Sequence, residues 1–192
     1  KAAAPINLYG ASKLASDKLF VAANNYIGKQ NLRFSVVRYG NVMGSRGSVI
    51  PVFLEQKKTG TLTLTHKEMT RFNITLEEGV NFVIKCAKIM NGGEIFVPKI
   101  PAYKVIDIAK AIAPKANIKF IGIRPGEKIH EEMVTESDSI NTVEFDKYYS
   151  IIPSNQFIDP KKRKLFLKNG KKCKIGFSYN SLVNKPYLSV KK

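Results

Sequence analysis

The chain has 192 residues, 44% of them hydrophobic and 24% charged, which is enough to bury a core. No apolar run approaches the ~18 residues that span a bilayer, and two cysteines and two histidines are too few for a disulfide framework or a metal centre. The formal charge of +17 is the outlier: from Pro160 onward there are eleven basic residues and no acidic one, a lysine-rich surface that attracts polyanions without selectivity.

Taken in chain order, apolar residues at Leu14, Leu19, Ala22, Ala23 and Tyr26 predict a helix from Asn7 to about Lys29, closed near Gly28. A strand over Arg33–Tyr39 has Phe34-Ser35-Val36-Val37 as its core, and a glycine-punctuated loop runs from Gly40 to Ser48. Val49–Lys58 reads as a short helix stopped by Gly60, and Thr61–Thr65 alternates as a half-buried strand does. Leu76–Met90 is an amphipathic helix that carries Cys86 as a core thiol. Ile95–Val97 is a buried strand, Val105–Ile112 a helix, Ile118–Ile123 a strand and Glu127–Val134 a short helix. After Pro153 the periodicity fades into a loop-like basic tail with a short strand or hairpin, where Cys173 sits among lysines. Strands alternating with helices predict an α/β fold with a parallel, helix-covered sheet.

Tyr9-Gly10-Ala11-Ser12-Lys13 is the sharpest chemical signal. A spacing of four puts Tyr9 and Lys13 on one helix face, and an ammonium beside a phenol favours the phenolate, a usable base. The spacing recurs at Tyr187 and Lys191, but only Tyr9 opens a helix followed by a buried strand and a glycine loop. Gly44-Ser45-Arg46-Gly47-Ser48 ahead of a helix offers backbone N–H groups to an anion. Asn41 lies where the strand ends at the mouth of such a site.

The stretch from Lys1 to Lys13 resembles the active-site segment of the extended short-chain dehydrogenase/reductases and, more narrowly, of inverting UDP-N-acetylglucosamine 4,6-dehydratases. The resemblance continues in order through Arg38–Pro51, Met69-Thr70-Arg71-Phe72, Gly93–Lys99 and Ile123–Glu131, and thins after about residue 150. It implies the C-terminal part of a Rossmann-like parallel sheet with a smaller substrate-binding α/β region. Residues 1–44 would be the second half of the dinucleotide-binding domain, 45–150 the nucleotide-sugar region, and 151–192 a basic tail.

The implied roles follow residue by residue. Tyr9 takes the proton of the sugar 4-hydroxyl while C4 gives its hydride to NADP or NAD. Lys13 binds the nicotinamide ribose, and Lys1 removes the C5 proton so that the 6-hydroxyl leaves. Asn41, Val49, Arg71, Arg124 and Glu127 bind the UDP-sugar, the two arginines at its diphosphate and Glu127 near the nucleoside. The family's acid, an aspartate directly before the lysine matched by Lys1, has no counterpart in this sequence. No Gly-x-Gly-x-x-Gly follows a strand, so the first βαβ unit that cradles a cofactor pyrophosphate is absent. A fragment inactive by itself is the expectation, from a cytoplasmic homo-oligomer with no specific nucleic-acid partner and no membrane segment here. The alternatives are 4-epimerisation or retaining dehydration on the same scaffold, a basic nucleic-acid-binding module, and a structural or regulatory protein that kept the fold.

Overall fold

The computed structural model of the chain describes residues 1–154 and 160–190. Its elements are α1 (Leu8–Ala23), β1 (Val36–Val37), β2 (Asn41–Val42), α2 (Val49–Gln56), β3 (Thr61–Leu64), β4 (Thr70–Ile74), α3 (Leu76–Ile89), β5 (Ile95–Pro98) and β6 (Ala102–Lys104). They continue with α4 (Val105–Ile112), β7 (Asn117–Phe120), β8 (Glu132–Val134), β9 (Thr142–Glu144), β10 (Tyr148–Ile151), α5 (Pro160–Leu167), β11 (Lys171–Lys172) and β12 (Tyr179–Asn180). β1 with β5, β2 with β4 and β3 with β7 pair in parallel, with helices alternating between strands along the chain, as an α/β fold requires. Two compact units interleave along the sequence: Lys1–Tyr39, Val80–Lys99 and Glu132–Tyr179 make the first, and Gly40–Gly79, Ile100–Glu131 and the residues from Asn180 onward the second.

In the first unit, α1 starts where Asn7, in extended backbone, accepts the Gly10 N–H on its side-chain oxygen at 2.8 Å. That satisfies one of the donors a helix start leaves open, and the Ala-, Leu- and Lys-rich sequence behind it favours helix. The helix ends at Ala23, short of the expected Lys29. The Asn24 amide donates to the carbonyls of Val21 (3.0 Å) and Phe34 (2.9 Å) and accepts the Phe34 N–H (3.0 Å), which diverts the chain toward β1. β1 is only two ladder residues within the expected 33–39, although Gly93 N–H to Phe34 O and Arg38 N–H to Phe96 O extend the pairing. β5 beside it is buried at all four residues. β10, β9 and β11 then add antiparallel; β9 and β10 were not expected from the sequence, and β11 lies in the tail where a short strand or hairpin was expected. The expected loop-like tail is in part a helix, α5, whose Phe166 packs with Val143 and Ile152. The part of that expectation at 155–159, and Lys191, lie outside the described residues.

In the second unit, β2-β4-β6 form one small sheet and β3-β7 another. Phe53, Leu62, Leu64, Met69, Tyr103, Val105 and Ala109 form its core, each large apolar side chain adding roughly 1.5–3 kcal/mol on burial. A Cβ at position 40 would lie 2.4 Å from the Phe72 Cβ, so only glycine lets the chain enter β2 this close to β4. α2 stops at Gln56, passes into a 3-10 turn and is closed by Gly60 at φ 74°. β7 is shorter than the expected strand to Ile123, and Gly122 has φ 86°.

The helix expected over Glu127–Val134 does not form. Its carbonyls are taken by tertiary donors instead: Ile129 O accepts the Thr70 N–H (3.0 Å), and Lys128 O and Ile129 O accept from the Arg71 guanidinium. A helix needs those same carbonyls four residues on, so the segment runs irregularly and then extends into β8.

Candidate active site

Tyr9 is 57% exposed in the first turn of α1, where its ring meets two ammonium groups. Lys13 Nζ lies 5.3 Å from the ring centroid, as the helical spacing predicts, and Lys1 Nζ lies 5.4 Å from it. Both are within cation–π range. Lys1 reaches Tyr9 because Gly10 has no side chain. A Cβ there would meet the Lys1 carbonyl oxygen at 2.8 Å and the Pro5 Cβ at 3.0 Å, so the 1–5 segment lies on the helix only over a glycine.

The same helix is fixed from its inner face. Asp17 Oδ2 accepts Arg38 Nε at 2.6 Å, and Arg38 Nη1 reaches Asp138 Oδ2 at 3.2 Å and the Met133 carbonyl at 3.3 Å. Arg38 is 7% exposed and Asp17 8%. This buried charge network ties α1 to the end of β1 and to the turn before β9.

The second unit contains a cavity of about 210 Å³. The apolar core supplies its floor through Phe53, Leu64 and Met69, and the loop before α2 supplies a rim of Met43, Gly44, Gly47 and Ser48. α2 has no acidic residue in its first turn, and Ser48 at its N-cap makes no capping bond, which leaves the first helical N–H groups for an anion. Two buried oxygens on this wall, Ser48 Oγ and Glu127 Oε2, make no hydrogen bond. Buried polar atoms are ordinarily satisfied by protein, water or ligand, so both oxygens are open to a further partner.

Four of the five expected substrate residues, Asn41, Val49, Arg71 and Glu127, line this cavity. Arg124 does not; it is exposed on the turn where Glu127 N–H donates to its carbonyl at 3.0 Å. Arg71 is largely buried and committed to the protein. Nη1 donates to the carbonyls of Thr70 (2.7 Å) and Ile129 (2.9 Å), and Nη2 donates to that of Lys128 (3.0 Å). Its guanidinium is also 3.8 Å from Glu127 and 3.7 Å from Glu131.

Glu131, which closes the family-like segment Ile123–Glu131 and was not among the expected site residues, organises this wall. With the Asn41 amide turned to face it, the Asn41 NH2 donates to both Glu131 oxygens at 2.9 and 2.8 Å. Glu131 thus holds two cavity residues at once. Behind it Thr70 Oγ1 bonds His130 Nδ1 (2.8 Å) and Ser181 Oγ (2.7 Å), and Ser181 Oγ accepts the Glu131 N–H (2.9 Å). Burial, with Arg71 nearby, holds His130 below the ordinary imidazole range and keeps it neutral. Tyr103, also on the cavity wall, is pushed up to about 12 by burial and by the Glu131 carboxylate, so its phenol stays protonated and available as a donor.

Residues 1–153 match the polysaccharide biosynthesis protein family. The chain belongs to that family. Over its whole length it is 53% identical to an inverting UDP-N-acetylglucosamine 4,6-dehydratase of Campylobacter jejuni subsp. jejuni, of which it spans 59%. It is 38% identical to a UDP-glucose 4-epimerase of Rickettsia canadensis, over 94% of this chain and 54% of that protein. Among solved structures it is similar to Pen from Bacillus thuringiensis, with a TM-score of 0.82 and 34% identity over 99% of this chain and 56% of that one. Membership in the family and the Rossmann-like α/β class agree with what the motifs implied.

Proposed function

We propose that this chain carries the proton-transfer and nucleotide-binding residues of an NAD(P)-dependent UDP-N-acetylglucosamine 4,6-dehydratase that inverts C5. In the first unit, Tyr9 accepts the proton of the sugar 4-hydroxyl, with Lys13 Nζ over its ring. Lys13 donates hydrogen bonds to the ribose next to the nicotinamide, whose chemistry when bound is to accept and return hydride. The exposed phenol with a lysine one helical turn away fits that group. Lys1 takes the C5 proton, made acidic by the new 4-ketone, and passes it to the departing 6-hydroxyl, which leaves as water; C5 is then reprotonated on the opposite face.

The second unit binds the nucleotide. The open N–H groups at the start of α2 face phosphate oxygens, with Arg124 supplying a cation from its exposed turn and Arg71 a cation from the cavity wall. Ser48 Oγ, at the same helix start, donates to a phosphate oxygen and Glu127 Oε2 accepts from the nucleoside end, with Val49 packing against the ligand and Asn41 bonding the sugar or phosphate. On the same reading the protein works in the cytoplasm as a homo-oligomer, and the chain alone does not turn substrate over.

The observation that carries this reading is the pair of lysine side chains whose Nζ atoms lie 5.3 and 5.4 Å from the Tyr9 ring centroid. The test is incubation of the full-length protein with UDP-N-acetylglucosamine and NMR of the product. A 4-keto-6-deoxy sugar inverted at C5 is expected; retention at C5 removes the role given to Lys1. The identity to a UDP-glucose 4-epimerase favours 4-epimerisation as the second reading. The same spectrum distinguishes it, because an epimerase returns a C4 epimer with its 6-hydroxyl in place.

A further inference from the structure

α5 and the strand that follows it present a cationic surface of the first unit that the proposed reaction does not use. Arg163, Lys164, Lys168, Lys171, Lys172 and Lys174 are all exposed. Glu144 stands opposite Lys171 in the register of β9 and β11, but its carboxylate is on Lys99 at 2.8 Å. Among the described residues no carboxylate forms an ion pair with any of the six. β11 is the edge strand of its sheet, so the segment lies at the margin of the unit.

Two large apolar side chains stand out of the same stretch, Leu165 at 54% exposure and Ile175 at 84%. Phe166 is buried with Val143 and Ile152, which anchors α5 to the unit. A face built only for solubility mixes both charge signs, whereas these six cations have no acidic neighbour paired to them among the described residues. A surface for single-stranded nucleic acid sets exposed aromatic rings among its cations, whereas Phe166 is buried and Phe177 half-buried. Cations of one sign around protruding aliphatic side chains match a negatively charged lipid surface, where lysines stay at headgroup level and apolar groups enter the acyl boundary.

We infer that residues 163–175 dock the protein on an anionic lipid bilayer. This is association with a surface, because among the described residues no helix is long and apolar enough to cross a membrane. It goes beyond the proposed reaction and does not depend on it.

The test sediments the intact protein with vesicles of phosphatidylcholine alone and with vesicles containing a third phosphatidylglycerol, at near-physiological salt. Binding to the anionic vesicles only is expected. Reversing four exposed charges together, Lys168→Glu, Lys171→Glu, Lys172→Glu and Lys174→Glu, weakens it roughly 10³-fold or more. Ile175→Ser, which leaves every charge in place, weakens it about tenfold. Circular dichroism of both variants checks that they fold, and their turnover stays at the wild-type level whether or not the assigned reaction is correct. No binding to anionic vesicles overturns the inference, as does Ile175→Ser binding like wild type. Displacement from the vesicles by duplex DNA at equal phosphate concentration also overturns it and moves the surface to nucleic acid.

Discussion

Replacing Asp17 with alanine probes the join between α1 and the rest of the first unit. The substitution leaves the Arg38 guanidinium, 7% exposed, without its 2.6 Å partner. Removing one member of a buried ion pair costs about 3–5 kcal/mol, because the remaining charge stays desolvated. Arg38 keeps Asp138 at 3.2 Å and the Met133 carbonyl at 3.3 Å, so the lower end applies, about 3 kcal/mol. For a domain of this size each kcal/mol moves the melting temperature by about 2–4 °C, which gives a fall of about 6–12 °C in thermal unfolding of the intact protein. The double variant Asp17→Leu with Arg38→Met removes both charges and fills the space with apolar atoms; it should recover most of the loss, as uncharged replacements of buried pairs often do. A fall below about 1 kcal/mol for Asp17→Ala, within the ordinary range of surface pairs, would refute the view that this network holds the helix bearing Tyr9.

Three further outcomes follow from the same geometry. Tyr9→Phe removes only an exposed hydroxyl, so stability should change by less than about 0.5 kcal/mol, while kcat for the full-length enzyme should fall by roughly 10²–10⁴. Glu131→Gln puts an amide NH2 against that of Asn41 and removes the charge beside Arg71. KM for the UDP-sugar should rise about tenfold with a smaller change in kcat, since a buried unmatched donor costs about 1–3 kcal/mol. Cys86, Tyr103 and Tyr149 are each pushed up to about 12, chiefly by burial. Folded, they keep protons that the unfolded chain releases from about pH 8.5 for the thiol and about 10 for the phenols. Their contribution to stability is therefore complete below those values and is lost as pH rises toward about 12. Thermal scans from pH 8 to pH 11 should show a steepening loss, and Cys86→Ala should make that loss shallower.

How far the sequence could be read depended on whether the determining contacts are local. Tyr9 and Lys13 are one helical turn apart, so spacing alone placed them together; Asn7 as a cap and Gly60 as a helix stop are equally local signals. The antiparallel strands β9 and β10 and the strand β4 that carries Arg71 were not legible. Their residues, such as Thr70-Arg71-Phe72-Asn73, alternate weakly and are buried on both faces, so no period-two signal separates them from loop. The expected helix over Glu127–Val134 failed for the same reason in reverse. Its pattern was helical, but Arg71, more than fifty residues away, holds its carbonyls.

The candidate site divides along that line. Asn41, Val49, Arg71 and Glu127 could be named because each sits in a segment resembling the family, yet nothing in those segments says that one carboxylate organises them. A lone Glu131 beside His130 and Glu132 reads as surface charge until β4 brings Arg71 and β2 brings Asn41 to meet it. Once they meet, the charges decide what Arg71 can do. Its guanidinium lies between Glu127 and Glu131 and donates to three carbonyls, so much of its capacity is spent inside the wall. On the proposed reading the anion falls mainly to the N–H groups of Val49 and Ile50 at the start of α2, which has no acidic residue in its first turn. That ordering makes the helix terminus, more than the arginine, the feature on which nucleotide affinity should depend.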